Sequence, residues 1–172
     1  MAKGNYELLN QYFNTIVKEL IPFKDNKISS SWIKKLIEDG EIELANGLMG
    51  RPYTVTSRII KGLGNGQSKI GFRTINIDLD NYIVPKYGVY LVTLLTNNNA
   101  YKGIANVGVH PTIDMLDKPV IEVFVNEEID LSTNAASVIF HTFVREEKQF
   151  EDNVKLSKQI QKDLGEMYEF FK

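Results

Sequence analysis

Gly71-Phe72-Arg73-Thr74-Ile75-Asn76-Ile77 closes a glycine-rich basic stretch and opens a run of alternating polar and apolar residues. Strand side chains two apart share a face, so Thr74 and Asn76 set a hydroxyl and an amide carbonyl side by side. Both are hard oxygen donors of the kind magnesium takes, and magnesium keeps several waters and shares itself with substrate phosphates. A phosphate site is therefore expected beside them. Residues 57–73 supply a candidate, because Gly62, Gly64 and Gly66 fall in one turn and Arg58, Lys61, Lys69 and Arg73 have no acid among them. Glycines let backbone N–H groups approach an anion, and the cations neutralise it. The same Gly-Leu-Gly-Asn-Gly also reads as a plain hairpin loop between two strands. It matches neither the P-loop nor the dinucleotide fingerprint, since no Gly-Lys-Ser/Thr follows and the next element is a strand.

Outward from this stretch, the pattern from residue 53 onward is strand-like, with candidate strands at 53–60, 73–77, 88–96, 101–109, 120–125 and 137–143. Asn97-Asn98-Asn99 reads as a hairpin tip, and Pro85, Gly88, Pro111 and Asp117-Lys118-Pro119 punctuate other connections. Six short strands in series predict a mainly β fold, a six-stranded antiparallel closed barrel. Residues 151–171 place Leu156, Ile160, Leu164, Met167 and Phe171 near one face of a helix, which should close one side of that barrel. Towards the amino end, Leu8, Leu9, Tyr12, Phe13, Ile16, Val17 and Leu20 carry helical spacing over residues 5–20, with Pro22 as the stop. A second helix opens on hydroxyl caps at Ser29-Ser30-Ser31 and runs to Gly40, and a third covers 41–48. The fold expected is the barrel with a C-terminal helix and an N-terminal helical extension.

The chain has 172 residues, 43% of them apolar, enough for one core and an appendage. Its net charge of −2 argues against a general nucleic-acid binder, which needs a basic surface. The helix pair joined at Gly40 invites a helix-turn-helix reading, but it offers few cations beyond Lys34 and Lys35. The absence of cysteine excludes disulfides, thiolate metal sites and cysteine nucleophiles. His110 precedes a proline in a loop and His141 lies within an apolar strand, which suits structural roles better than a shared metal. No apolar run approaches the length of a membrane span and no leader pattern opens the chain, so a cytoplasmic protein is expected. Glu122 alternates with Val120 and Phe124 on one strand face. An acid there is either an edge-strand glutamate facing water or a carboxylate whose burial raises its pKa and makes it a better base.

Gly71-Phe72-Arg73-Thr74-Ile75-Asn76 resembles the Gly-Phe-Pro-Thr-Ala-Asn signature of riboflavin kinases, in particular the kinase module of the bacterial bifunctional riboflavin kinase/FMN adenylyltransferases. Gly50-Arg51-Pro52-Tyr53, Gly88-Val89-Tyr90, Gly103-Ile104-Ala105-Asn106-Val107-Gly108, Val120-Ile121-Glu122-Val123 and Arg145-Glu146-Glu147-Lys148-Gln149-Phe150 resemble further pieces of that module in the same order. The likeness runs over about residues 28–164. Arg73 and Ile75 replace the family's proline and alanine, but alternation turns both away from Thr74 and Asn76. The segment 130–137 replaces a family stretch ending in Leu-Tyr-Gly, which puts the substrate side of the site in question there.

The resemblance implies ATP-dependent phosphorylation of riboflavin at the ribityl 5′-hydroxyl to give FMN and ADP. It implies Gly62, Gly64, Lys69, Gly71 and Asn106 at the nucleotide, Thr74 and Asn76 on Mg²⁺, and Glu122 as the catalytic base. Arg145 and Phe150 are placed by it beside the flavin, although an exposed Arg-Glu-Glu-Lys helix start reads equally naturally there. A flavin- or nucleotide-binding module without turnover is the alternative. Ile28-Ser29-Ser30-Ser31 resembles the Ile-Ser-Ser-Thr segment of the family's adenylyltransferase half. The division expected is therefore 1–50 as a helical remnant of that half and 51–172 as the kinase barrel. FMN adenylyltransferase activity is not expected of these residues, because the half's histidine motif has no counterpart among them. No nucleic acid or membrane partner is implied.

Overall fold

The alternation at residues 74–78 becomes a strand whose two faces meet different surroundings: Ile75 and Ile77 are buried, while Thr74 is exposed and Asn76 half-buried. In this computed structural model, which describes residues 5–19, 21–60, 74–79, 81–111, 117–148 and 150–172, it is the fourth strand. The elements in order are α1 (Tyr6–Asn10), β1 (Pro22–Phe23), β2 (Asn26–Lys27), α2 (Ser30–Glu38), α3 (Ile42–Met49), β3 (Thr54–Ile60), β4 (Thr74–Asp78), β5 (Gly88–Thr96), β6 (Asn99–Pro111), β7 (Asp117–Val125), β8 (Ala135–Arg145) and α4 (Asn153–Phe170). Strands β3-β4-β7-β6-β5-β8 close into a six-stranded barrel whose pairings are all antiparallel, as the strand series predicts. Asn97 and Asn98 both take positive φ, 48° and 63°, which gives the β5–β6 hairpin a two-residue turn matched to strand twist.

Side chains from alternate positions fill the interior, among them Val55, Ile75, Ile77, Tyr90, Val92, Val107, Ile121, Val123, Val138 and Phe140. Helices α2 and α3 add Leu36, Ile37, Ile42 and Ala45 to the same cluster. Ser29 caps α2 by accepting from the Trp32 N–H, and Gly50 ends α3 in the left-handed conformation at φ 66°, where a side chain would be strained. Asn46 fixes the pair to the barrel: its Nδ2 donates to the Phe140 carbonyl at 2.9 Å and its Oδ1 accepts from the Tyr53 N–H at 2.6 Å.

A second apolar cluster lies on the outer wall. Val89, Leu91, Ile104 and Phe124 point outward and are covered by Leu164 and Met167 of α4, as the apolar stripe of that helix requires. Asp152 caps α4 by accepting from the Lys155 N–H at 2.7 Å. The helix expected over 5–20 is much shorter, because α1 ends at Asn10 and Pro22 opens the β1–β2 hairpin instead of stopping a helix. Helical spacing stabilises a helix only when the stripe is buried, and Tyr12, Phe13 and Ile16 are 73%, 67% and 81% exposed.

Candidate active site

Register, more than sequence proximity, brings the polar residues together. Asn76 on β4 pairs with Glu122 on β7, Glu122 pairs with Asn106 on β6, Asn106 pairs with Val89 on β5, and Val89 pairs with Arg145 on β8. One row across the outer wall thus reads Asn76, Glu122, Asn106, Val89, Arg145. The adjoining row places Thr74 opposite Phe124 and Phe124 opposite Ile104. All of these project from the face away from the barrel core, the face that α4 covers further on. Glu122 is half-buried there, between the fully exposed and fully buried alternatives.

Between this wall, residues 147–148 and 150–152, and α4 lies a cavity of about 780 Å³. Thr74, Asn106 and Glu122 supply polar groups from the barrel, and Val89, Ile104 and Phe124 supply apolar surface. Arg145, Glu147, Lys148 and Phe150 line the opposite side, with Leu156, Ile160 and Asp163 of α4 behind them. A cavity of this size with a mainly apolar wall and a few convergent polar groups is the form of a small-molecule site.

The described residues of this strap, 146–148 and 150–152, are held across the cavity by specific contacts. Glu146 pairs with Lys86 at 2.8 Å, which keeps the Glu146 carboxyl below its ordinary pKa. Glu147 Oε1 accepts from Asn106 Nδ2 at 2.7 Å, and it can do so because the neighbouring residue is Gly108, where a Cβ would run into that carboxylate. Arg145 stands over the Phe150 ring at 6.0 Å and donates to Asp163 through Nη2 at 2.6 Å. Arg145 is the last residue of β8 and residues 146–148 are irregular, so the helix-start reading of this stretch is replaced by a strand end and a strap.

Of the residues singled out in the sequence, Thr74, Asn106, Glu122, Arg145 and Phe150 therefore line one cavity. Asn76 stands outside its lining, one strand over from Glu122 in the same row. Gly62, Gly64, Lys69 and Gly71, with Arg73, lie outside the described residues. Sequence reading misses Glu147 and Asp163. A signal for Asp163 exists, since it sits three residues after Ile160 and four before Met167, inside the apolar stripe of α4.

The donor set suits a hard cation shared with phosphate. Thr74 and Asn76 offer neutral oxygens on one strand face beside the Glu122 carboxylate, and among the described residues no group of three or more His, Cys, Asp or Glu could hold a metal unaided. Fold and cavity together define a closed-barrel protein with a mainly apolar cavity, carrying a few convergent polar groups, on its outer wall. Residues 49–171 match the family model described as flavokinase, riboflavin kinase. The chain belongs to the riboflavin kinase family.

It is 37% identical over 163 residues to the bifunctional riboflavin kinase/FMN adenylyltransferase of Bacillus subtilis, covering 91% of this chain and 50% of that protein. The protein of the same description from Listeria monocytogenes is 34% identical and covers 99% of this chain and 52% of its own length. The chain thus spans about half the length of the curated relatives it matches. A crystal structure described as a macrolide-efflux protein from Streptococcus pneumoniae superposes with a TM-score of 0.80 at 26% identity, over 95% of this chain and 54% of that one. Among the described residues of the present chain, no helix is long and apolar enough to cross a membrane.

Proposed function

We propose that this chain transfers the γ-phosphoryl group of ATP to the ribityl 5′-hydroxyl of riboflavin, giving FMN and ADP. The observation that carries the reading is the row Asn76–Glu122–Asn106, flanked by Thr74, opening onto a cavity with apolar walls in a chain of this family. The flavin ring lies against Val89, Ile104 and Phe150, leaving its ribityl tail to reach Glu122. Phosphoryl transfer passes through a loose transition state, so alignment and charge stabilisation do most of the work. Glu122 accepts the hydroxyl proton and orients the attacking oxygen towards phosphorus. Thr74 and Asn76 would hold Mg²⁺, which would supply charge neutralisation on the phosphate oxygens. Gly62, Gly64, Lys69 and Gly71 receive the ATP phosphates; their stretch runs directly into Thr74, which supports placing phosphate and metal next to each other. Asn106 borders the nucleotide, and Arg145 with Phe150 flanks the flavin.

We assign residues 51–172 to the kinase barrel and residues 1–50 to the end of the adenylyltransferase half, within a longer bifunctional protein like the relatives. The substrates place the reaction in the cytoplasm, with no nucleic acid or membrane taking part. The test is incubation of the purified chain with riboflavin, ATP and magnesium, followed by chromatography. FMN accumulating with time and requiring both ATP and magnesium is expected. No FMN from a folded chain overturns the reading.

A further inference from the structure

We infer that Asp163 is a positioning residue that, through Arg145, holds Glu146, Glu147 and Phe150 of the strap over the cavity; its kinetic consequence rests on the kinase reading above. Asp163 is 1% exposed, on the face of α4 that otherwise carries Ile160, Leu164 and Met167 against the barrel wall. A carboxylate buried in such a face is costly unless it is paired and hydrogen-bonded. Its partner is Arg145, whose Nε donates to both carboxylate oxygens at 3.1 Å and whose Nη2 donates at 2.6 Å. Gln159 Nε2 adds a bond to Oδ1 at 2.7 Å. The third guanidinium nitrogen, Nη1, turns the other way and donates to the Glu146 carbonyl at 3.1 Å, at the start of the strap. The same guanidinium meets the Phe150 ring towards the strap's far end.

One planar cation therefore grips the strap at two points and is itself anchored from behind by Asp163. Glu147, between those points, is thereby kept at Asn106. An ion pair serving only cohesion is replaceable by apolar side chains of similar size. This one instead engages every guanidinium nitrogen at the boundary between strand, strap and helix. The bonds that orient Arg145 are what Asp163 contributes to substrate binding, with no contact between Asp163 and the reacting atoms.

Asp163→Asn removes the charge and one acceptor, and Arg145→Met/Asp163→Leu replaces the pair by apolar groups that keep the helix packed. With trypsin under native conditions, both are expected to be cut after Lys148 about tenfold faster than the wild type, since cleavage of a transiently open segment follows its population. Asp163→Asn should raise KM for riboflavin about tenfold with kcat within about threefold, and Asp163→Glu should recover part of the loss. Unchanged protection of Lys148 in the double variant, folded by circular dichroism, overturns the proposal, as does an unchanged KM in folded Asp163→Asn. Should the wild type make no FMN, the kinase reading falls, and the proteolysis alone decides whether Asp163 holds the strap.

Discussion

Glu122 and Asn76 face each other across β4 and β7, one charged and one neutral oxygen donor in a single row. Their roles separate by substitution. Glu122→Gln preserves shape and hydrogen bonding but cannot take a proton, so kcat should drop by about 10²–10⁴-fold while riboflavin affinity stays close to wild type. A near-normal kcat removes Glu122 as the base. Thr74→Val and Asn76→Leu should instead raise the magnesium concentration needed for half-maximal turnover and leave flavin binding alone, because the proposed reading puts both residues at the cation shared with the phosphates. A magnesium titration unchanged in both variants places the ligands elsewhere. His141 presents a different residue-scale effect: it is half-buried, its Nε2 lies 2.8 Å from Thr93 Oγ1, and its ring meets Phe170 tilted and Phe171 edge to face. Burial pushes its pKa below the ordinary 6.5. The unfolded chain therefore takes up this proton first as pH falls, so the stability His141 contributes is full above about pH 6.5 and is lost as pH falls from there through the folded pKa. Denaturant titrations at pH 7.5 and 5.5 should show a smaller acid-induced loss in His141→Phe than in the wild type.

At the scale of elements, legibility in the sequence follows how local the determining physics is. The barrel strands are readable because alternation is imposed by the pleat itself, and Ile75 is buried while Thr74 and Asn76 face out, as the alternation requires. Five of the singled-out site residues meet in one cavity for the same reason: each occupies an outward position on its strand or the strap that follows. The strap contacts are not readable in the same way, since Glu147 meets Asn106 and Arg145 meets Asp163 only through packing distant in sequence. Residues 12–17 mislead because helical spacing is present but Tyr12, Phe13, Ile16 and Val17 stay exposed. This contrast predicts where the amino-terminal part matters for stability. Among the described residues, deleting 1–27 removes chiefly exposed apolar groups and should leave the barrel's thermal transition nearly in place. Deleting residues 1–49 takes away Ile37, Ile42 and Ala45, which are 1% exposed or less, together with the Asn46 bonds. Even Ile37→Ala alone should cost about 2–5 kcal/mol, measurable by denaturant unfolding. An equally stable chain lacking residues 1–49 contradicts the shared core.

For the whole molecule, the decisive question is which step follows the proposed FMN formation. Carrying FMN on to FAD requires a nucleotide site that specifies adenine and aligns ATP for attack at its α-phosphate. In this chain the stretch that resembles the adenylyltransferase half in sequence, Ile28-Ser29-Ser30-Ser31, opens the helix pair, and that pair is already committed to the barrel: α2 and α3 bury their apolar faces in its core. Ser29, the residue best placed to greet an anion, spends its hydroxyl oxygen on capping the Trp32 N–H. A helix N-terminus can attract a phosphate, but it neither selects a base nor orients a nucleophile. The histidines offer no help from within these residues, since His141, on β8, packs against Phe170 and Phe171 and His110 belongs to β6. The purified 172-residue chain, supplied with riboflavin, ATP and magnesium, should therefore accumulate FMN as its end product. Chromatography resolving FMN from FAD checks this directly. FAD formed in step with FMN, and lost on Ser30→Ala with Ser31→Ala, would mean that the helix pair is an active site in its own right and not only part of the barrel's core.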